Sequence, residues 1–203
     1  MIFRFQVAIK VATDEVSITD LVHEAKTMVR IAKNENIVNL QGIALHEETF
    51  FVILEYCALG SVENYLSENA RHYVQEIEKK NYGFLLTCCT HVAEGMAFLV
   101  DKKVIHGDLA ARNALITSDM VVKVADFGLS HRLYMQQNQT KEPEKLTVPV
   151  ASAIEVIRAG HSILEFSDIW SYGIYMWEVF QLGLAVPYTD KYSEYHLTKM
   201  GLN

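Results

Sequence analysis

The apolar residues of this chain change their spacing once, near Gly60, and that change limits the fold more than any other feature. Ahead of it, Phe5 to Val11, Ile37 to Leu45 and Thr49 to Tyr56 are short runs rich in β-branched and aromatic residues, which read as strands. The polar His46-Glu47-Glu48 suits the turn of a hairpin between the last two. One helical stretch interrupts them: Leu21, Glu24, Ala25, Met28 and Ile31 recur at three and four, which predicts a helix over Ser17 to Lys33 with one face on a core. Beyond Gly60 helices dominate. Ser61 suits the N-cap of a short one, Leu85, Cys88, Val92, Met96 and Leu99 mark a long buried one ending near Asp101, another covers about Phe166 to Gln181, and a last begins near Ser193. Two short apolar runs, Ala114 to Thr117 and Val121 to Ala125, are parted by the turn Ser118-Asp119, and the polar stretch from Ser130 to Val150 is expected to be a mobile loop. A small sheet with one helix, then helices, joined through Glu55 to Gly60, predicts an α+β chain of two lobes meeting at a hinge, with a ligand cleft between them.

Half of the 203 residues are hydrophobic, enough to bury a sizeable core. The net charge of -7 is spread along the length, with no basic stripe for a phosphate backbone, so nucleic acid is not an expected partner. Cys57, Cys88 and Cys89 are odd in number and the last two are adjacent, which does not suit a disulfide framework and fits a reducing, cytoplasmic setting. Apolar runs such as Phe50 to Leu54 are too short to cross a bilayer, and Met1 to Lys10 lacks a signal peptide's apolar core. The chain opens in an expected strand and stops soon after an incipient helix, uncapped at both ends, which reads as a piece of a larger protein. His23, His46, His72, His91, His131, His161 and His196 are scattered without metal-ligand spacing.

The chemistry concentrates in His106-Gly107-Asp108-Leu109-Ala110-Ala111-Arg112-Asn113, with Asp126-Phe127-Gly128 beginning thirteen residues after Asn113. A loop thus offers one carboxylate and, five positions on, an amide; after a β-hairpin a second carboxylate arrives beside a flexible Gly. Such a set can hold Mg²⁺ with hard oxygen ligands and place one further carboxylate near an attacking hydroxyl. A single loop Asp is more often a capped turn, and it is the combination that departs from that reading.

These motifs resemble those of protein kinases, and of receptor tyrosine kinases in particular, over nearly the whole chain. The resemblance implies a two-lobed fold with a partial small lobe over 1–55, lacking the Gly-rich loop, a hinge over 56–60, and a partial large lobe over 61–203, lacking its terminal helices. It implies ATP and Mg²⁺ as cofactors and protein tyrosines as substrates. Val7-Ala8-Ile9-Lys10 matches the strand whose Lys holds the α- and β-phosphates, and Glu24 the helix Glu that pairs with it. Asp108 matches the catalytic base, and Asn113 and Asp126 the magnesium ligands. Ala8 and Leu115 match residues that sandwich the adenine, Glu55-Tyr56-Cys57 the hinge whose backbone meets its edge, and Leu54 the residue narrowing the rear of the pocket. Phe127, His106, Met28 and Leu40 match a stack linking the lobes, although on residues alone they read equally as plain core. Asp168 matches a buried helix Asp that hydrogen-bonds the catalytic loop. Ala110, and Arg112 two positions later, match the tyrosine kinases, where serine and threonine kinases place Lys at the first of these. Pro149-Val150, Gly183 and Pro187-Tyr188 resemble further segments of the family.

Departures from the pattern qualify this. Gly107 replaces the Arg that pairs with a phosphorylated activation loop, and Tyr134 is the one Tyr between Gly128 and Pro149, so loop phosphorylation is not expected to switch the protein. Val150-Ala151-Ser152-Ala153-Ile154-Glu155 lacks the family's Trp and Pro. Two readings follow: a tyrosine kinase, with residues 1–203 alone weak or inactive, or a pseudokinase serving as a scaffold. The resemblance to receptors further implies a parent in a membrane, this domain on its cytoplasmic side, dimerising through parts outside this chain.

Overall fold

A carboxylate starts the first helix. Asp14 accepts a hydrogen bond from the Ser17 N–H at 2.9 Å, and Glu15 adds a negative charge to the first turn, where the helix dipole favours it. The helix, α1, covers Glu15–Ile31 and buries Leu21, Glu24, Ala25, Met28 and Ile31, the stripe its spacing predicts. The computed structural model describes residues 6–130 and 165–187, with side chains from 167 in the second stretch. Expectations for the loop after Ser130, for Tyr134, for Pro149 to Glu155, for Tyr188 and for a helix near Ser193 lie outside the described residues.

Three antiparallel strands, β1 (Val7–Ala12), β2 (Leu40–His46) and β3 (Thr49–Glu55), form a sheet in the order β1-β3-β2. Phe50, Val52 and Leu54 alternate onto the buried face of β3. Residues paired across strands share a face, and Lys10 lies opposite Val52, so Lys10 projects to the buried side while Ile9 and Val11 face outward, more than half exposed.

The strand expected from Ile37 begins instead at Leu40. Residues 36–38 spend their backbone elsewhere: the Val38 N–H donates to the Val124 carbonyl, and the Val124 N–H to the Asn36 carbonyl, at 2.9 and 2.8 Å. This piece of the small sheet's connection is thereby stitched to the other half of the molecule.

After Ser61, whose hydroxyl accepts from the Asn64 N–H at 3.2 Å, come α2 (Val62–Glu68), α3 (Ala70–Glu78) and α4 (Gly83–Asp101). Helix α3 has no counterpart in the sequence reading. It is short and mostly polar, and it anchors through Tyr73, which stacks on Phe84 with ring centroids 5.7 Å apart. A two-stranded hairpin, β4 (Ala114–Ile116) with β5 (Val122–Val124), precedes α5 (Glu165–Phe180). By length and composition α4 could cross a membrane, contrary to the expectation that apolar runs here are too short. In the fold its Leu85, Cys88, Cys89, Val92, Gly95, Met96 and Leu99 face the core. There α4 meets α5, whose Tyr175 and Tyr172 hydroxyls donate to the Cys88 and Cys89 carbonyls at 3.1 Å. Gly95 makes room for the stitched loop, since a Cβ there would stand 2.7 Å from the Asn36 carbonyl oxygen.

Candidate active site

The sheet face and the helix stripe converge on one pair of charges. Lys10 Nζ lies 2.6 Å from Glu24 Oε1 and 3.2 Å from Asp126 Oδ1, so an amine from β1 reaches a carboxylate on α1 and another 116 residues further along the chain. Glu24 is buried, while Lys10 and Asp126 keep part of their side chains in solvent. Burial pulls the Lys10 ammonium toward a lower pKa, but the Glu24 and then the Asp126 carboxylates outweigh it and hold Lys10 above the ordinary lysine value. Burial likewise pushes Asp126 up, and Lys10 more than offsets that, leaving Asp126 below the ordinary carboxylate range. Both partners shift in the sense of a stable ion pair.

The loop carrying Asp108 is held from behind by α5. Asp168, buried near the start of that helix, accepts from the His106 N–H at 2.7 Å and from the Gly107 N–H at 2.9 Å. Two backbone donors compensate the burial of this carboxylate. Glu178, ten residues on, accepts from the Ala111 N–H at 2.7 Å. Its own burial raises its pKa, against the hydrogen bond from Ala111. Gly107 adopts φ 78°, in the left-handed region where a glycine carries no Cβ penalty. Between these anchors Asp108 presents its carboxylate to two donors: Arg112 Nη2 at 2.5 Å on Oδ1 and Asn113 Nδ2 at 2.9 Å on Oδ2.

The hairpin brings the second carboxylate round. Ala114 pairs with Val124, and the Ala125 N–H donates to the Asn113 carbonyl at 2.8 Å, so Asp126 follows directly on the residue facing Asn113. The Asn113 amide nitrogen is committed to Asp108, through both its carboxylate and its backbone carbonyl, which leaves the amide oxygen as what Asn113 can offer a cation. With an ionised Asp126 beside it, this donor set is hard and oxygen-based. It fits Mg²⁺, which takes one or two protein ligands and completes its shell with water and phosphate. Among the described residues no cluster of three or more His, Cys, Asp or Glu side chains could hold a metal.

At the junction, Ala8 and Leu115 pack half-buried against the core and Leu54 belongs to it. The side chain of Glu55 turns away to bind Asn39 Nδ2 at 2.8 Å and Lys123 Nζ at 3.1 Å. The Cys57 thiol is buried and pushed up to about 11 by that burial and by Glu55. Cys57, Cys88 and Cys89 all carry free thiols. Of the lobe-linking stack, His106 and Phe127 meet edge to face at 5.3 Å, both fully buried. The sequence reading did not single out Asn39, Lys123, Ser130 or Glu178. A lysine between Val122 and Val124 in a buried run was a usable signal, because such a lysine needs a partner; the other three carry no local mark.

A small antiparallel sheet with one helix, followed by a helical part bearing this loop and hairpin, is the two-lobed protein-kinase-like fold. A family model described as protein tyrosine and serine/threonine kinase matches residues 3–201. Fibroblast growth factor receptor 1 of Pleurodeles waltl is 35% identical over 182 residues, which is 83% of this chain and 22% of the receptor. The chain therefore belongs to the protein tyrosine and serine/threonine kinase family, and it spans under a quarter of the length of that receptor.

Proposed function

We propose that this chain is part of the catalytic domain of a protein-tyrosine kinase, a transferase that, intact, moves the terminal phosphoryl group of ATP to a tyrosine hydroxyl. The observation that carries the reading is the position of Lys10 Nζ, 2.6 Å from Glu24 and 3.2 Å from Asp126, which gathers groups from both lobes at one point. Glu24 orients the ammonium toward the nucleotide's α- and β-phosphates. Ala8 and Leu115 bracket the adenine, and backbone groups of Glu55 and Cys57 meet its edge. Asp126 and the Asn113 oxygen hold Mg²⁺, whose charge offsets that of the phosphate oxygens. Asp108 Oδ accepts the proton of the substrate hydroxyl. Arg112 and Asn113 fix both carboxylate oxygens of Asp108, and Ala110 stands where serine and threonine kinases place Lys, which favours tyrosine as the acceptor.

The relative's printed name is that of a receptor, and we place this domain on the cytoplasmic side of a membrane receptor that dimerises through parts outside this chain. Free thiols agree with a reducing compartment. For residues 1–203 alone we expect slow transfer or none, because residues 1–9 contain no glycine for a phosphate-covering loop and loss of one preorganised donor typically costs about 10²- to 10³-fold in rate.

A second reading, a pseudokinase acting as a nucleotide-binding or protein-interaction scaffold, is motivated by Gly107, which offers no side chain to a phosphorylated loop. Two measurements on the full-length protein separate them. Mg²⁺-dependent ATP binding lost in Asp126→Asn supports the nucleotide site, and phosphotyrosine formation lost in Asp108→Asn supports the enzyme. Nucleotide binding without any phosphotyrosine leaves the nucleotide-binding scaffold; absence of both binding and transfer removes the enzyme and leaves only a protein-interaction scaffold.

A further inference from the structure

Ser130 lies four residues beyond Asp126, 5% exposed, and its hydroxyl donates to the His106 carbonyl at 2.8 Å. His106 is anchored on every side. Its N–H donates to Asp168, its ring Nδ1 accepts from the Asp108 N–H at 3.2 Å, and its ring Nε2, which therefore bears the proton, donates to the Ala125 carbonyl at 2.9 Å. The residue just before Asp126 and the residue four beyond it are thus tied to the same point of the catalytic loop. What lies between is the less favoured backbone: Asp126 has φ 65°, in the left-handed region, which costs a residue with a Cβ about 1 to 2 kcal/mol although Asp tolerates it better than most. Gly128 follows, and its N–H makes only a long contact, 3.4 Å, to Asp126 Oδ1.

We propose that Ser130 is a positioning residue for Asp126: its hydroxyl closes a bracket on His106 that holds Asp126 in its left-handed, Lys10-facing conformation. This rests on the reading of Asp126 as a magnesium ligand. Removing the hydroxyl leaves the Ala125 side of the bracket intact and releases the Ser130 side, so Asp126-Phe127-Gly128 can relax through Gly128. The fraction of molecules ready for the metal then falls, and the apparent affinity for the magnesium complex falls with it. A net hydrogen bond of ordinary strength corresponds to roughly a 2- to 10-fold change.

The test measures binding of a non-hydrolysable ATP analogue to wild type, Ser130→Ala and Ser130→Thr, with Mg²⁺ and with EDTA, alongside amide exchange at Phe127 and Gly128 in the metal-free chain. Ser130→Ala is expected to weaken Mg²⁺-dependent binding roughly 2- to 10-fold, to change EDTA binding less than about twofold, and to speed exchange at those two amides but not in α4. Ser130→Thr, which keeps the hydroxyl, is expected to restore binding. Equal affinity in Ser130→Ala and wild type overturns the proposal, and so does an equal loss with and without Mg²⁺. If wild type itself shows no Mg²⁺ dependence, the reading of Asp126 fails and takes this proposal with it.

Discussion

Lys10 and Glu24 stand fourteen residues apart in the chain and 2.6 Å apart in space, the amine on a strand and the carboxylate on the buried stripe of the next helix. Removing the amine has two consequences. Lys10→Met leaves Glu24 buried without its cation, which costs stability, although the partial exposure of Lys10 keeps that below the 3 to 5 kcal/mol roughly typical of a fully buried pair. If the proposed role holds, transfer in the full-length protein falls by about 10²- to 10³-fold, the usual loss for one preorganised charge. Phosphotyrosine yield and urea midpoints, read on the same variant, check both.

Asp168→Ala should unsettle the catalytic loop more than its distance from the nucleotide suggests. It leaves the buried N–H groups of His106 and Gly107 without their acceptor, at about 1 to 3 kcal/mol each. Asp168→Asn keeps one acceptor oxygen and should lose roughly half as much. Denaturant unfolding of both variants checks the order, and equal losses would count against the two-bond account.

Gly95→Ala sets a helix gain against a clash. Alanine in a helix interior is worth up to about 1 kcal/mol over glycine. The new Cβ, however, would meet the Asn36 carbonyl at 2.7 Å, and that carbonyl already accepts from Val124. Because the obstacle is backbone, the clash should win, with a net loss of about 1 to 3 kcal/mol. A lowered Tm confirms this, whereas a raised one means the loop can yield.

Ionisation makes opposite demands on two carboxylates. Burial raises Glu178 above 4.5 in the folded state, so the folded chain holds that proton more tightly than the unfolded one. Its contribution is present in full below the unfolded value and is lost as pH rises through the folded one. Glu178→Gln should flatten that part of the stability profile while still accepting from Ala111. Asp126 runs the other way: its folded pKa lies below 3.8, so its contribution is present above that value and is lost as pH falls through the folded one. Stability profiles of wild type, Glu178→Gln and Asp126→Asn, each measured across the acid range, separate the two.

Much of the architecture was legible because it follows from local pattern. The stripe of α1, the alternation of β3, the cap at Ser61 and the long apolar face of α4 each arise within a few turns or residues. The spacing from His106 to Asn113 and on to Asp126 was likewise readable, since a tight loop and a hairpin allow few arrangements of their ends. Helix α3 is harder to see because its core-facing stripe, Ala70, Tyr73 and Ile77, is only three residues long and set among charged and polar neighbours.

Local order thus decided which segments are strands and helices and which loop carries the carboxylates and the amide. Tertiary structure alone decided what long-range partners do. It set the late start of β2, whose preceding residues bond to β5, and the turning of Glu55 toward Asn39 and Lys123. It also set the grip of Glu178 on Ala111 and of Ser130 on His106. In each case the energy comes from satisfying a buried polar group with a partner far away in the chain, and periodicity carries no record of which distant donor meets which acceptor.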